Sequence, residues 1–209
     1  MEGLSFPEIN FAFVYRLTSL LGPDEILQHM SAPAPDWKQP AKYLSAACKS
    51  PLDALLNLTD HMGKVNCNDM KLYSSVALQT ASSYGLSLEK RDQLAAVVLK
   101  MILMAKFNIK NIMHLTMDVS NGRGVSMHTR VIGAGLYLAS SLINHSCIAN
   151  MAAVYCGSTV VFTAMKPIKA GEQLTMEYIA HLIDPVSSRQ NICNSVHRFT
   201  CTCVACQEG

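Results

Sequence analysis

The spacing of apolar positions changes character along the chain. Over the first 115 residues it reads as a series of helices, and from Met151 onward as short β-rich runs. Residues 9 to 21 (INFAFVYRLTSLL) form the first helical stretch, which Gly22-Pro23 stops. Three prolines, Pro33, Pro35 and Pro40, mark the following segment as an irregular connection. In SPLDALLNLTDHMG, Ser50 suits the N-cap, Pro51 the first helical position and Gly63 a left-handed C-cap. Two more helices are predicted over Asp69–Ser83 and Leu88–Phe107. Gly85 closes the first of these and Ser87 caps the second.

Ser120-Asn121-Gly122-Arg123-Gly124 reads as a loop. Beyond it, MAAVYCGSTVVFTAM predicts a hairpin turning at Cys156-Gly157-Ser158. A turn over Lys166–Glu172 then leads into a third short run, Gln173 to Ile179. Helices followed by small β-structure make an α+β chain.

Composition narrows the functional classes. A chain of 209 residues that is 50% hydrophobic can bury a sizeable core. Its 17 basic and 15 acidic residues are spread without a basic stripe, which gives no support to direct nucleic-acid binding. The most apolar run, Leu94 to Phe107, is too short for a membrane span and carries Lys100 and Lys106, so it reads as a core helix. The methionines concentrated in and after this region read as core filler. The opening MEGLSFPEINFAF lacks the features of a secretory signal, which places the expected location in the cytosol or nucleus. Eight cysteines in that setting argue against a disulfide framework.

Three of them crowd into CTCVAC as Cys201, Cys203 and Cys206. Structural zinc takes four ligands in a tetrahedron, so this C-x-C-x-x-C pattern leaves one position to be filled from elsewhere. Cys147, Cys193, Cys156 and His197 are the candidates. Cys147 lies in SLINHSCIAN, where His145 and Cys147 could serve as nucleophile and base, as metal ligands, or as part of a polar turn before a strand. Catalytic Cys and His normally come from separate segments, which disfavours the first of these.

Four blocks now stand in order: GAGLY (133–137), SLINHSCIAN (141–150), AGEQLTMEY (170–178) and FTCTCVAC (199–206). Together they resemble the SET methyltransferase domain, in particular the SET and MYND domain family in a divergent arthropod-type or fourth-member-like branch. The resemblance implies an S-adenosylmethionine-dependent protein-lysine N-methyltransferase acting on a histone or non-histone protein. It implies that Asn144 and His145 contact the cofactor and that Phe199 packs on the adenine. Cys147 would join Cys201, Cys203 and Cys206 around zinc, and Tyr178 would be the catalytic tyrosine. LKMILMAKFNIKNI (99–112) is similar to the family's insert helix and the motif after it, which makes Asn108 a further cofactor candidate. The same Asn also suits a plain helix end.

The implied division is a helical SET-insert region over 1–118, the C-terminal part of the SET core over 119–182, and a post-SET zinc segment over 183–209. The family's N-terminal Gly-x-Gly segment and MYND module have no counterpart in this sequence. Ala149 stands where the family has proline, His197 where it has a second active-site aromatic, and Glu177 where a small or apolar residue is usual. A SET-like interaction module without turnover is therefore the competing expectation.

Overall fold

The computed structural model describes residues 6–28, 55–56, 58–118, 126–156, 159–179 and 183–208. The chain forms two units, Met1–Ile109 and Lys110–Gly209.

In the first unit, α1 (Phe6–Leu21) stops at Gly22, whose φ of 79° few other residues tolerate. Pro23 opens α2 (Pro23–Gln28), where a missing N–H costs nothing. A 3-10 turn (Met62–Lys64), α3 (Cys67–Ser82) and α4 (Leu88–Asn108) follow. The helix α4 is the centrepiece: α1, α2 and α3 all pack on it, and Met101 to Ala105 are buried in succession. A helix apolar on every side is one surrounded by neighbours. Lys106 near its end donates to Asp69 Oδ2 (3.3 Å) and to the Tyr73 hydroxyl (2.8 Å), fastening α4 to α3.

Several helix boundaries depart from expectation. Asn66, not anticipated as a cap, accepts the Asp69 N–H at 2.9 Å and starts α3 at Cys67. Ser87 sits at the N-cap position of α4 without a side-chain capping bond. Gly63 is not left-handed; His61 is, with φ 50°. The Asp60 carboxylate accepts the Met62 N–H (3.0 Å) and bends the chain at His61, so the turn tightens ahead of the glycine. Ser50, Pro51 and the three prolines before them lie outside the described residues. Helix does not continue to residue 115, because Ile109 adopts ψ 135° and passes directly into β1 (Ile109–Asp118).

The second unit is built from two-stranded ladders. β1 pairs with β2 (Ser126–Leu136), and the loop over 120–124 falls outside the described residues. Gly135 in β2 leaves room for the Tyr137 ring, which a Cβ there would meet at 2.9 Å. After α5 (Leu138–Ser141), β3 (Asn144–His145) runs parallel to β6 (Thr175–Met176). The anticipated hairpin is present as β4 (Met151–Cys156) antiparallel to β5 (Thr159–Ala164), with Cys156 paired to Thr159; residues 157–158 lie outside the described residues. β6 is much shorter than the 173–179 run, because the Asn150 side chain takes up the neighbouring backbone groups: its Nδ2 donates to Gln173 O and its Oδ1 accepts the Thr175 N–H. Helices α6 (Val186–Val196) and α7 (Val204–Gln207) complete this unit. The fold class is α+β.

Candidate active site and cysteine cluster

The parallel pairing of β3 with β6 joins two of the sequence blocks. Asn144 faces Thr175 and His145 faces Met176, and the Ser146 N–H continues the contact to Met176 O (3.1 Å). Asn150, only 3% exposed, locks the same junction. Its Oδ1 accepts the Thr175 N–H (2.8 Å), while its Nδ2 donates to Gln173 O (2.9 Å) and Glu172 Oε1 (3.2 Å). One buried amide thus replaces several rungs of a longer ladder.

His145 and Tyr178 then meet. The Tyr178 N–H donates to His145 Nδ1 at 3.1 Å, which assigns the ring proton to Nε2 in the neutral imidazole. Burial, the larger influence, lowers the His145 pKa against a raising hydrogen bond with the Met176 backbone, which favours that neutral form. The Tyr178 hydroxyl donates to Ile143 O at 2.5 Å, and burial raises its pKa so that the phenol stays protonated. Around Tyr178 stand the rings of His197 (5.2 Å between centroids), His145 (5.4 Å) and Phe199 (6.3 Å, perpendicular). Phe199 lies 5.6 Å from His145 and is half-buried, leaving ring surface open. Lys110 Nζ sits 4.7 Å over the Tyr178 ring.

On the other side of His145, Cys147 Sγ is 3.4 Å from Nε2. The four sulfurs of Cys147, Cys201, Cys203 and Cys206 lie within 4.8 Å of one another, with Cys147 at 3.6 Å from Cys206 and 4.0 Å from Cys201. Zinc–sulfur bonds of about 2.3 Å in a tetrahedron separate the sulfurs by about 3.8 Å, so this donor set fits a zinc ion. The electrostatics agree. Burial pushes the Cys147 thiol up and Cys201 up to about 11. Burial also raises Cys203, but hydrogen bonds with the Cys147 backbone and neighbouring thiols outweigh it and bring that group to about 6. Crowding thus favours the thiolate at Cys203 and the thiol at Cys147 and Cys201, and a bound dication favours further ionisation.

The C-terminal segment is held against α6 by two polar side chains. Gln190 accepts the Cys201 N–H (3.0 Å) and donates to Cys201 O (2.6 Å). Arg189, 5% exposed, donates to Ala205 O (2.7 Å) and approaches Cys206 Sγ (3.8 Å). At the end of α6, Arg198 takes φ 63°, and the Phe199 N–H returns to Cys193 O (3.3 Å). That reversal aims Phe199 toward His145.

The structure therefore brings together His145, Cys147, Tyr178, Phe199, Cys201, Cys203 and Cys206. Asn144 is exposed on β3, adjacent to His145. Asn108 belongs to the first unit, where its Nδ2 donates to Met104 O (2.8 Å) and Thr59 O (3.5 Å). Of the alternative fourth ligands, Cys193 is fully buried beside the cluster without joining the mutually close four. His197 packs on aromatic rings. Cys156 lies in β4. Glu177 is exposed. Sequence reasoning missed Asn150, Arg189, Gln190 and Lys110. Asn150 had a signal, as the closing residue of the Asn-His-Ser-Cys block, whereas the other three are polar residues in unremarked helix and strand contexts.

Comparison with known proteins gives a consistent picture. The SET domain family model matches residues 24–179. The histone-lysine N-methyltransferase SMYD3 of Mus musculus is 37% identical over 76 residues, covering 36% of this chain and 18% of that protein. A SET and MYND domain-containing protein of Dictyostelium discoideum is 36% identical over 110 residues, covering 51% of this chain and 28% of its own length. The N-lysine methyltransferase SMYD2 of Gallus gallus is 25% identical over 153 residues, covering 73% and 32%. The chain thus spans about a third or less of each of these relatives.

Proposed function

The chain belongs to the SET domain family, of the SET and MYND type, and on that premise we propose that it is an S-adenosylmethionine-dependent protein-lysine N-methyltransferase. The observation that carries the reading is Tyr178, its hydroxyl fixed to Ile143 O, among the rings of His145, His197 and Phe199 and beside four clustered thiols. Its substrate would be a target lysine on a histone or another protein.

When bound, S-adenosylmethionine supplies a methyl group on a positively charged sulfur. Asn144, His145 and the half-buried ring of Phe199 are the residues suited to hold it. The acceptor amine must be neutral, against an ordinary lysine pKa of about 10.4, and an apolar aromatic surround lowers that value. Because the Tyr178 proton is committed to Ile143 O, its oxygen offers only lone pairs to a second partner. It can accept an amine N–H and so leave the nitrogen lone pair aimed elsewhere. Positioning of this kind is the protein's main contribution to a bimolecular displacement.

Cys147, Cys201, Cys203 and Cys206 would hold one zinc ion, whose role is structural: it ties the segment carrying Phe199 to the segment carrying His145. On this reading residues 1–118 are the helical insert region, 119–182 the SET core and 183–209 the post-SET segment. Reduced thiols of this kind suit the cytosol or nucleus.

A second reading, a SET-like interaction module without turnover, draws on His197, which packs against Tyr178 where the family has another aromatic. Methyl transfer from labelled S-adenosylmethionine to core histones decides between them. The enzyme reading predicts incorporation that Tyr178→Phe reduces at least 100-fold while cofactor affinity stays within about twofold. Cofactor binding without transfer to any lysine-bearing protein would leave the module.

A further inference from the structure

Lysine ammonium groups normally stay in water or beside a carboxylate, and the two lysines flanking the α4–β1 junction differ in this respect. Lys106 satisfies its charge with Asp69 and the Tyr73 hydroxyl. Lys110, half-buried at the start of β1, forms none of the ion pairs found among the described residues. Its Nζ rests over the Tyr178 ring instead, 4.7 Å from the centroid. The ring is the one whose hydroxyl is suited to receive an acceptor amine. Burial lowers the Lys110 pKa, which raises the share of neutral amine at physiological pH. The flexible four-carbon stem lets Nζ reorient over this ring.

We propose that Lys110 is an internal methyl acceptor, modified in cis at the site formed around Tyr178. The proposal rests on the methyltransferase reading and extends it to a specific residue of this chain. Lys110 Nζ, as the neutral amine, donates its lone pair to the methyl carbon of S-adenosylmethionine. The carbon–sulfur bond breaks with its electron pair retained by sulfur, giving S-adenosylhomocysteine. The resulting methylammonium then loses a proton to solvent. When protonated, a methylated lysine is a good partner for an aromatic face, so the product can remain over Tyr178 in its ammonium form.

The test uses the zinc-loaded chain with deuteromethyl S-adenosylmethionine and mass mapping of the peptide containing Lys110. The expected result is one to three methyl groups on Lys110, at a rate per chain that is unchanged over a tenfold range of protein concentration and is lost in Tyr178→Phe. A readout independent of turnover is acylation of Lys110 by acetic anhydride, which saturating S-adenosylhomocysteine should slow severalfold. If the cofactor product binds and core histones are methylated while Lys110 stays unmodified and unprotected, the proposal is overturned and the contact with Tyr178 is packing alone. A rate proportional to protein concentration overturns the assignment in cis. Absence of S-adenosylhomocysteine binding overturns the methyltransferase reading itself, and this proposal with it.

Discussion

The helical unit and the β-rich unit are stabilised by different means. The first buries long apolar side chains around α4, with Leu94, Val98, Met101, Ile102, Leu103 and Met104 almost entirely removed from water. Among the described residues the second has three ladders of two strands each, and its buried hydrophobic cluster includes Cys147, Cys193 and Cys201. Isolated two-stranded ladders are marginal in water. The contrast is one of means: the first unit rests on apolar burial, whereas the second joins its short ladders with polar locks such as Asn150 and gathers four thiols that could hold a metal ion.

Metal removal should produce the largest contrast. Structural zinc in a four-cysteine site contributes about 10–16 kcal/mol of apparent binding free energy. Chelation, or Cys203→Ala, is expected to raise hydrogen exchange across residues 199–206 by orders of magnitude and to weaken cofactor binding at least 100-fold. Amides of α4 should keep their protection; equal loss in both units would break the comparison. The sign with pH follows from the thiols. Cys147 and Cys201 are held protonated at neutral pH, so metal binding must release at least those two protons. Affinity therefore rises with pH through neutrality, and it falls more steeply below about 6, where Cys203 also takes up a proton. Competition titrations at several pH values read the slope.

Next in size is Leu103→Ala, which leaves a void in α4 and should cost about 2–5 kcal/mol. Denaturant unfolding followed by helix signal checks it, and metal stoichiometry should remain one per chain. Asn150→Ala removes the lock between β3, β6 and their flanking turn, with an expected loss of about 1–3 kcal/mol. That loss should appear as faster exchange at the Thr175 amide, whose hydrogen bond goes to Asn150 Oδ1. Smallest is Asn66→Ala, which deprives α3 of its cap for about 1 kcal/mol, read as a small shift in thermal midpoint without effect on metal or cofactor.

The helices were readable because their stops are local. Gly22 and Gly85 take φ of 79° and 64°, and the pattern between such stops is long enough to declare its period. The β4–β5 hairpin was equally local, its strands being paired from Cys156 and Thr159 outward. β1 was not, because helix passes to strand at Ile109 with no glycine or proline to mark the change. The β3–β6 pair was illegible for another reason: two residues have no period, and their partners are about thirty positions apart. Within the site, the crowd of Cys201, Cys203 and Cys206 stood out as a pattern, while the meeting of His145, Tyr178 and Phe199 depended on the resemblance of their blocks to a known family. Lys110 lay beyond both, since nothing in its neighbourhood along the chain announces that it rests on Tyr178.

We propose that the second unit builds a cofactor site around His145, Tyr178 and Phe199. Calorimetric titration of the folded, zinc-loaded chain with S-adenosylhomocysteine tests it most directly. Micromolar binding, about −8 kcal/mol, lost in Phe199→Ala, is the expected result. A folded, zinc-containing chain that gives no binding would contradict it.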